Sequence, residues 1–172
     1  MSVVLYCAGR KSDLKISILC VGKIKEKFYT DAVAEYSKRL SRYCTFEITE
    51  VQDEKTPDGA GEAIEKQIKE KEGEKLISRL KDGAYVISLA IEGKKLSSEG
   101  FASKIENLGI SGVGHIIFII GGSLGLSEEV LKKSDMLLSF SDMTFPHQLM
   151  RVILSEQIYR SFRIINGEPY HK

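Results

Sequence analysis

The 172-residue sequence predicts an α/β fold, a parallel sheet with crossover helices. Three observations predict it. Short apolar runs alternate with longer amphipathic ones along the chain. Two runs, residues 84–91 and 115–120, are nearly unbroken hydrophobic stretches, as in strands covered on both faces. Serine-led helix starts follow both of those runs.

The elements read in order as follows. Residues 14–21 form a strand: Ile16, Ile18 and Leu19 favour β structure, and Gly22 ends it. Residues 25–41 form a helix, with Phe28, Val33, Tyr36 and Leu40 near helical spacing. Residues 45–51 alternate like a half-buried strand, Phe46 and Ile48 on one face. Residues 53–82 are dense in both charge signs, with few apolar anchors: Ile64, Ile68, Leu76, Ile77 and Leu80. They predict a solvated helix with one thin apolar stripe, after a mobile loop around 57–61, and no chemistry attaches to the charge run. Beyond the 84–91 strand, Ser97 or Ser98 caps a helix to about Leu108, with Glu99 in its first turn. Strand 115–120 runs straight into Gly121 and Gly122, and Ser127 followed by Glu128 and Glu129 starts the next helix. Residues 136–140 are a third short buried-type strand. Thr144, Phe145 and Pro146 then open a long helix to about Arg163, the proline lying where a missing N–H costs little. No repeat or low-complexity linker interrupts this order, so one domain is expected.

Composition excludes several classes. Hydrophobic residues make up 42% and charged residues 28%, which rules out a disordered tail protein, a collagen and a disulfide scaffold. No apolar run approaches the roughly 20 residues that cross a bilayer, so no membrane partner is expected. Residues 1–7 are too short for a secretory core and lack a basic leader, so no export signal is read. Cys7, Cys20 and Cys44 lie far apart with no CxxC, as for reduced thiols in a cytoplasmic protein. His115, His147 and His171 are scattered and no HExxH occurs, so no metal is expected. A GxSxG nucleophile elbow is also missing. The net charge is +1, whereas binders of naked nucleic acid show a stronger basic excess. An RNA partner would therefore meet a local surface, or would itself supply shape.

Ligands of open α/β sheets bind beyond the carboxyl ends of the strands. Three loops occupy that position: the turn after residues 89–91, the turn 121–125 and the turn 139–145. The sequence Gly121-Gly122-Ser123-Leu124-Gly125 reads either as a tight strand-to-helix turn or as a loop whose bare backbone approaches a ligand. It is neither a dinucleotide fingerprint nor a phosphate loop, which counts against a nicotinamide oxidoreductase. The stretch 138–151 offers serines, a threonine and two phenylalanines, suited to a purine-sized ligand. His147 within it reads equally as a packed or capping residue. On the last helix, Leu149, Met150, Val152, Ile153, Leu154, Ile158, Tyr159 and Phe162 fall all around the axis. A helix apolar on every side is buried on every side, which points to a second subunit. Two polar groups interrupt it: His147, Arg151 and Ser155, and then Glu156, Arg160 and Arg163. Glu156 and Arg160, four apart, also read as a structural ion pair. Chain ends usually fray. This one carries Tyr170 and His171, which can stack on bases, and Lys172, which can meet phosphate.

These pieces together resemble one family. GGSLG after a buried strand, LSFSDMTFPHQLMR, EQIYR and the terminal PYHK are similar to the small SPOUT-class ribosomal RNA methyltransferases, specifically the large-subunit pseudouridine N3-methyltransferases. LCVGKIKEKFY and AEYSKRL share the resemblance, which spans residues 14–172 and leaves 1–13 as an N-terminal extension or a misassigned start. The resemblance implies a C-terminal trefoil knot, which general fold rules would not predict. It also implies a homodimer and S-adenosylmethionine as cofactor. By position it assigns cofactor contacts to Leu89, Gly121, Phe140, Ser141, Asp142, Met143, Thr144 and Phe145. The substrate implied is a pseudouridine of large-subunit (23S) rRNA in the assembled ribosome. On that reading Arg160 and Arg151 orient RNA or stabilise the deprotonated base, and Glu156 orients Arg160. His171 accepts the proton and Tyr170 stacks or hydrogen-bonds. The rival readings are a related knotted tRNA methyltransferase and a non-catalytic ribosome-associated binding module.

Overall fold

The computed structural model describes residues 13–170. Cys7, His171, Lys172 and nearly all of the expected extension over 1–13 lie outside the described residues.

Five strands form one sheet in the order β2-β1-β4-β3-β5, and every pairing is parallel. The strands are β1 (Lys15–Val21), β2 (Thr45–Val51), β3 (Tyr85–Lys95), β4 (His115–Ile120) and β5 (Met136–Ser139). Side-chain alternation along the central strands feeds two cores. Ile16, Ile18, Cys20, Ile116, Phe118 and Ile120 point to one face, and Leu19, Val21, Ile117 and Ile119 to the other. The first face is covered by α1 (Lys27–Leu40), α3 (Ser98–Ile110) and α5 (His147–Ile165), and the second by α2 (Glu62–Ile77) and α4 (Glu128–Lys132). Burial on both faces is why β1 and β4 read as continuous apolar runs. The expected serine caps are present: Ser97 accepts the Gly100 N–H at 3.1 Å, and Ser127 accepts the Val130 N–H at 3.4 Å.

Two expectations are corrected. β3 runs four residues beyond the predicted 91, because Lys94 and Lys95 pair with Leu138 and Ser139 of β5 after a register break. Gly93 permits this approach: a Cβ there would lie 2.7 Å from the backbone of Leu137 and Leu138. On α2, Ile64 is exposed, and the buried stripe is Ile68, Glu72, Gly73 and Leu76. Gly73 is needed because Ser127 of the α4 cap packs directly on its Cα.

Candidate functional site

A parallel sheet brings the carboxyl ends of its strands to one edge, and a cavity of about 330 Å³ opens there. It is lined by residues 89–91, 120–126, 138–141 and 143–145, with His147 and Met150 from α5. That volume lies at the lower end of the range for small-molecule sites. Its glycines are bare for steric reasons. A Cβ on Gly121 would lie 2.8 Å from the Gly125 carbonyl group, and one on Gly122 would lie 2.9 Å from Glu72 Oε2. Gly125 turns the chain with φ 85°, and its N–H donates back to the Gly122 carbonyl at 3.1 Å. The loop is thus a tight turn and also the floor of the crevice; both readings of its glycines hold.

The turn after β5 forms the opposite wall. Ser141 Oγ accepts the Met143 N–H at 3.0 Å, and Ser139 Oγ donates to the Ser141 carbonyl at 3.2 Å. Phe140 stands edge-on to Phe101 of α3, with centroids 6.4 Å apart, and so is anchored to the core. Met143 is 70% exposed at the mouth. Of the eight positions assigned to cofactor contact, seven line the cavity. Asp142 does not: its carboxylate turns outward to pair with Lys95.

Arg151 also departs from its expected place. Its side chain is 0% exposed. Nη1 donates to Glu50 Oε1 at 2.7 Å, and Nη2 donates to the Val21 and Gly22 carbonyls at 2.8 and 2.9 Å. It satisfies the end of β1 and, with no exposed surface, does not meet RNA or a base as the resemblance implies. Nearby His147 lines the cavity, and burial and the Arg151 charge hold its pKa below 6.5.

The second expected cluster forms at the far end of α5. Arg160 donates to Glu156 Oε1 through Nε at 3.0 Å and Nη2 at 2.7 Å. Its guanidinium lies 4.8 Å from the Tyr170 ring centroid, and Tyr170 Oη donates to Glu156 at 3.3 Å. Burial, then neighbouring Tyr36 and Glu156, push the Tyr170 phenol up to about 12, so it keeps its proton at neutral pH. The segment leading to Tyr170 is held there by a clasp. Tyr43 Oη donates to Glu168 Oε2 at 2.6 Å, Arg163 pairs with the same carboxylate, and Tyr43 stacks on Phe162. Thirteen residues separate His147 from Arg160, about 20 Å along the helix axis. Within one chain the structure therefore does not bring the crevice and the Arg160–Tyr170 cluster together.

Four residues escaped the sequence reading: Glu50, Glu72, Tyr43 and Glu168. Glu72 is buried behind the glycine turn. Its Oε1 accepts the Glu54 N–H at 2.9 Å, Oε2 has no partner among the described residues, and burial raises its pKa. Nothing in a charge run marks one glutamate as buried. For Glu168, whose partners lie across the fold, the residue type and its place near the tail carry no signal.

Comparison with known proteins finds a family and relatives that this chain resembles. A family model described as "Predicted SPOUT methyltransferase" matches residues 14–171. A ribosomal RNA large subunit methyltransferase H of Bifidobacterium adolescentis is 62% identical over 159 residues, covering 92% of this chain and 100% of that protein. The protein of the same name from Clostridium beijerinckii is 58% identical over the same coverage. Among solved structures, a probable methylase family protein from Haemophilus influenzae superposes with a TM-score of 0.51 at 14% identity, covering 94% of this chain and 71% of that one. The last likeness concerns the fold alone.

Proposed function

The chain belongs to the SPOUT methyltransferase family, and from that premise we propose that it transfers a methyl group from S-adenosylmethionine to ring nitrogen 3 of a pseudouridine in large-subunit rRNA of the assembled ribosome. The observation that carries this reading is the bare-glycine crevice at the carboxyl edge of the sheet, in a chain whose full-length relatives bear the rRNA methyltransferase name.

The crevice fits the cofactor. Leu89, Leu138, Phe140 and Phe145 supply apolar walls for an adenine, and Ser123, Ser141 and Thr144 supply hydroxyls. When bound, S-adenosylmethionine supplies an electrophilic methyl carbon, so the protein's share of the work is positioning. The 121–125 and 139–145 turns, which the family threads as a trefoil knot, hold the cofactor and exclude water. Asp142 steadies the mouth of the crevice through Lys95. The base must lose an imide proton. Arg160, oriented by Glu156, faces the developing negative charge. Tyr170, protonated, donates a hydrogen bond or stacks. His171 takes the proton.

These groups work together if two copies form a homodimer, each placing its Arg160 cluster against the other's crevice. The α5 surface supports this arrangement. Leu149, Val152 and Ile153 remain only half-buried in a single chain and lie on the same side as Glu156 and Arg160. A protein that modifies ribosomes works in the cytoplasm.

The deciding experiment is transfer of labelled methyl to assembled ribosomes lacking the modification, to free large-subunit rRNA and to bulk tRNA. Label on ribosomes alone, mapped to a pseudouridine, is expected. Label on tRNA would overturn the substrate, and cofactor binding without label anywhere would overturn catalysis.

A further inference from the structure

Residues 22–28 leave β1 outside the crevice lining but next to it, a Cβ on Gly22 lying 3.7 Å from Nε2 of the lining residue His147. Cys20 stands beside Ile120 in the β1–β4 ladder, and a Cβ on Gly122 would lie 3.2 Å from Val21 Cγ1. The segment is fastened at successive points. The Gly22 N–H donates to the Val51 carbonyl at 2.8 Å, the Ile24 N–H to Glu50 Oε1 at 3.1 Å, and the Lys25 N–H to Gln148 Oε1 at 2.8 Å. Arg151 holds the Val21 and Gly22 carbonyls from below. A buried guanidinium and its carboxylate thus fix the backbone of a surface turn.

That turn displays Lys23, Lys25, Lys27 and Phe28, all exposed. Phe28 is 61% exposed, and its ring leans on Tyr29 with centroids 4.3 Å apart. A single exposed apolar residue needs no explanation. An exposed aromatic beside three cations, on a segment that leaves β1 next to a nucleic-acid-modifying site, has the composition of a single-strand contact, with one ring for stacking and cations for the backbone. The acidic neighbours are Glu26, Asp31, Glu50, which is tied to Ile24 and Arg151, and Asp53, whose carboxyl carbon lies 3.8 Å from where a Cβ on Gly22 would stand. Asp31 accepts from Lys27 at 2.6 Å in an exposed pair that a phosphate can replace.

We infer that residues 23–28 form a pre-organised RNA contact beside the crevice, Phe28 stacking on an unpaired base and Lys23, Lys25 and Lys27 meeting phosphates. This rests on the rRNA reading above and adds the surface that reads the substrate. It also accounts for RNA binding by a chain of net charge +1, since the basic surface is local.

The test uses the full chain and ribosomes lacking the modification. Phe28→Ala should raise KM for ribosomes about tenfold, the loss falling on KM rather than kcat, with S-adenosylmethionine affinity unchanged, and Phe28→Tyr should restore it. The triple Lys→Gln variant at 23, 25 and 27 should raise KM and flatten the dependence of log KM on log salt by about two. Unchanged KM and salt slope in both variants would overturn the contact. Direct binding of the same variants to large subunits separates the two readings. If the wild type binds but transfers no methyl, the catalytic reading fails, while the measured affinities still decide the contact.

Discussion

Arg151 shows what spacing along a helix reveals and what it hides. Its place on α5 was readable from a 100° projection, but its partners, the Val21 and Gly22 carbonyls, lie about 130 residues away in sequence. A projection gives the angle of a side chain and not what fills that angle, so it groups Arg151 with His147 and Ser155 without showing that it is a structural strut, where the family resemblance implies an RNA-facing arginine. The Glu156–Arg160 pair was legible because both partners lie on one helix. Glu168 belongs with Arg151: its role comes from Tyr43, across the fold. If the clasp positions Tyr170, Glu168→Gln should lower kcat for ribosome methylation by about tenfold and leave S-adenosylmethionine affinity unchanged. Single-turnover rates and calorimetric titration of the cofactor check this. Equal loss of both would make Glu168 a general stabiliser. In a Tyr170→Ala background the effect of Glu168→Gln should largely vanish, because the clasp acts through the tail.

Among the elements, β1, β2 and β4 were legible to within a residue, because a strand's burial is written in its own composition and alternation. The far half of β3 was not, since it exists only through pairing with β5 across a register break. The stripe on α2 was half legible, because a buried Glu72 cannot be told from its exposed neighbours. The three crevice loops were legible from topology alone, as the ends of parallel strands. The start of α5 carries a pH consequence. His147 has its pKa held below 6.5 by burial and by Arg151, so the unfolded chain binds its proton more readily. Its contribution to stability is complete above the unfolded value and is lost as pH falls below it. Urea midpoints at pH 7.5 and 5.5 should therefore differ more for the wild type than for His147→Gln. Half-buried His115, also held low by desolvation and Lys15, supplies a similar slope common to both proteins. Equal differences would place the acid sensitivity elsewhere.

For the whole molecule, the expectation of a second subunit came from apolar residues all around α5. In the single chain none of its residues is fully exposed, yet Leu149, Val152 and Ile153 stay half-buried. The proposed exchange of clusters between subunits can be measured by mixing. Gly121→Val obstructs one crevice, and Arg160→Ala removes one cluster. Each homodimer should be inactive. Proteins co-expressed with different tags should recover about one quarter of wild-type activity, because half of the dimers carry one intact pair. Recovery of nothing would mean that each site is built within one chain. The distance of about 20 Å between His147 and Arg160 has a geometric corollary. α5 acts as a ruler whose markings are helical turns. One residue inserted near Ser155 would swing everything beyond it by about 100° around the axis, while the crevice stayed whole. The two ends of this helix must agree in phase as well as in length, which makes its middle intolerant of insertion.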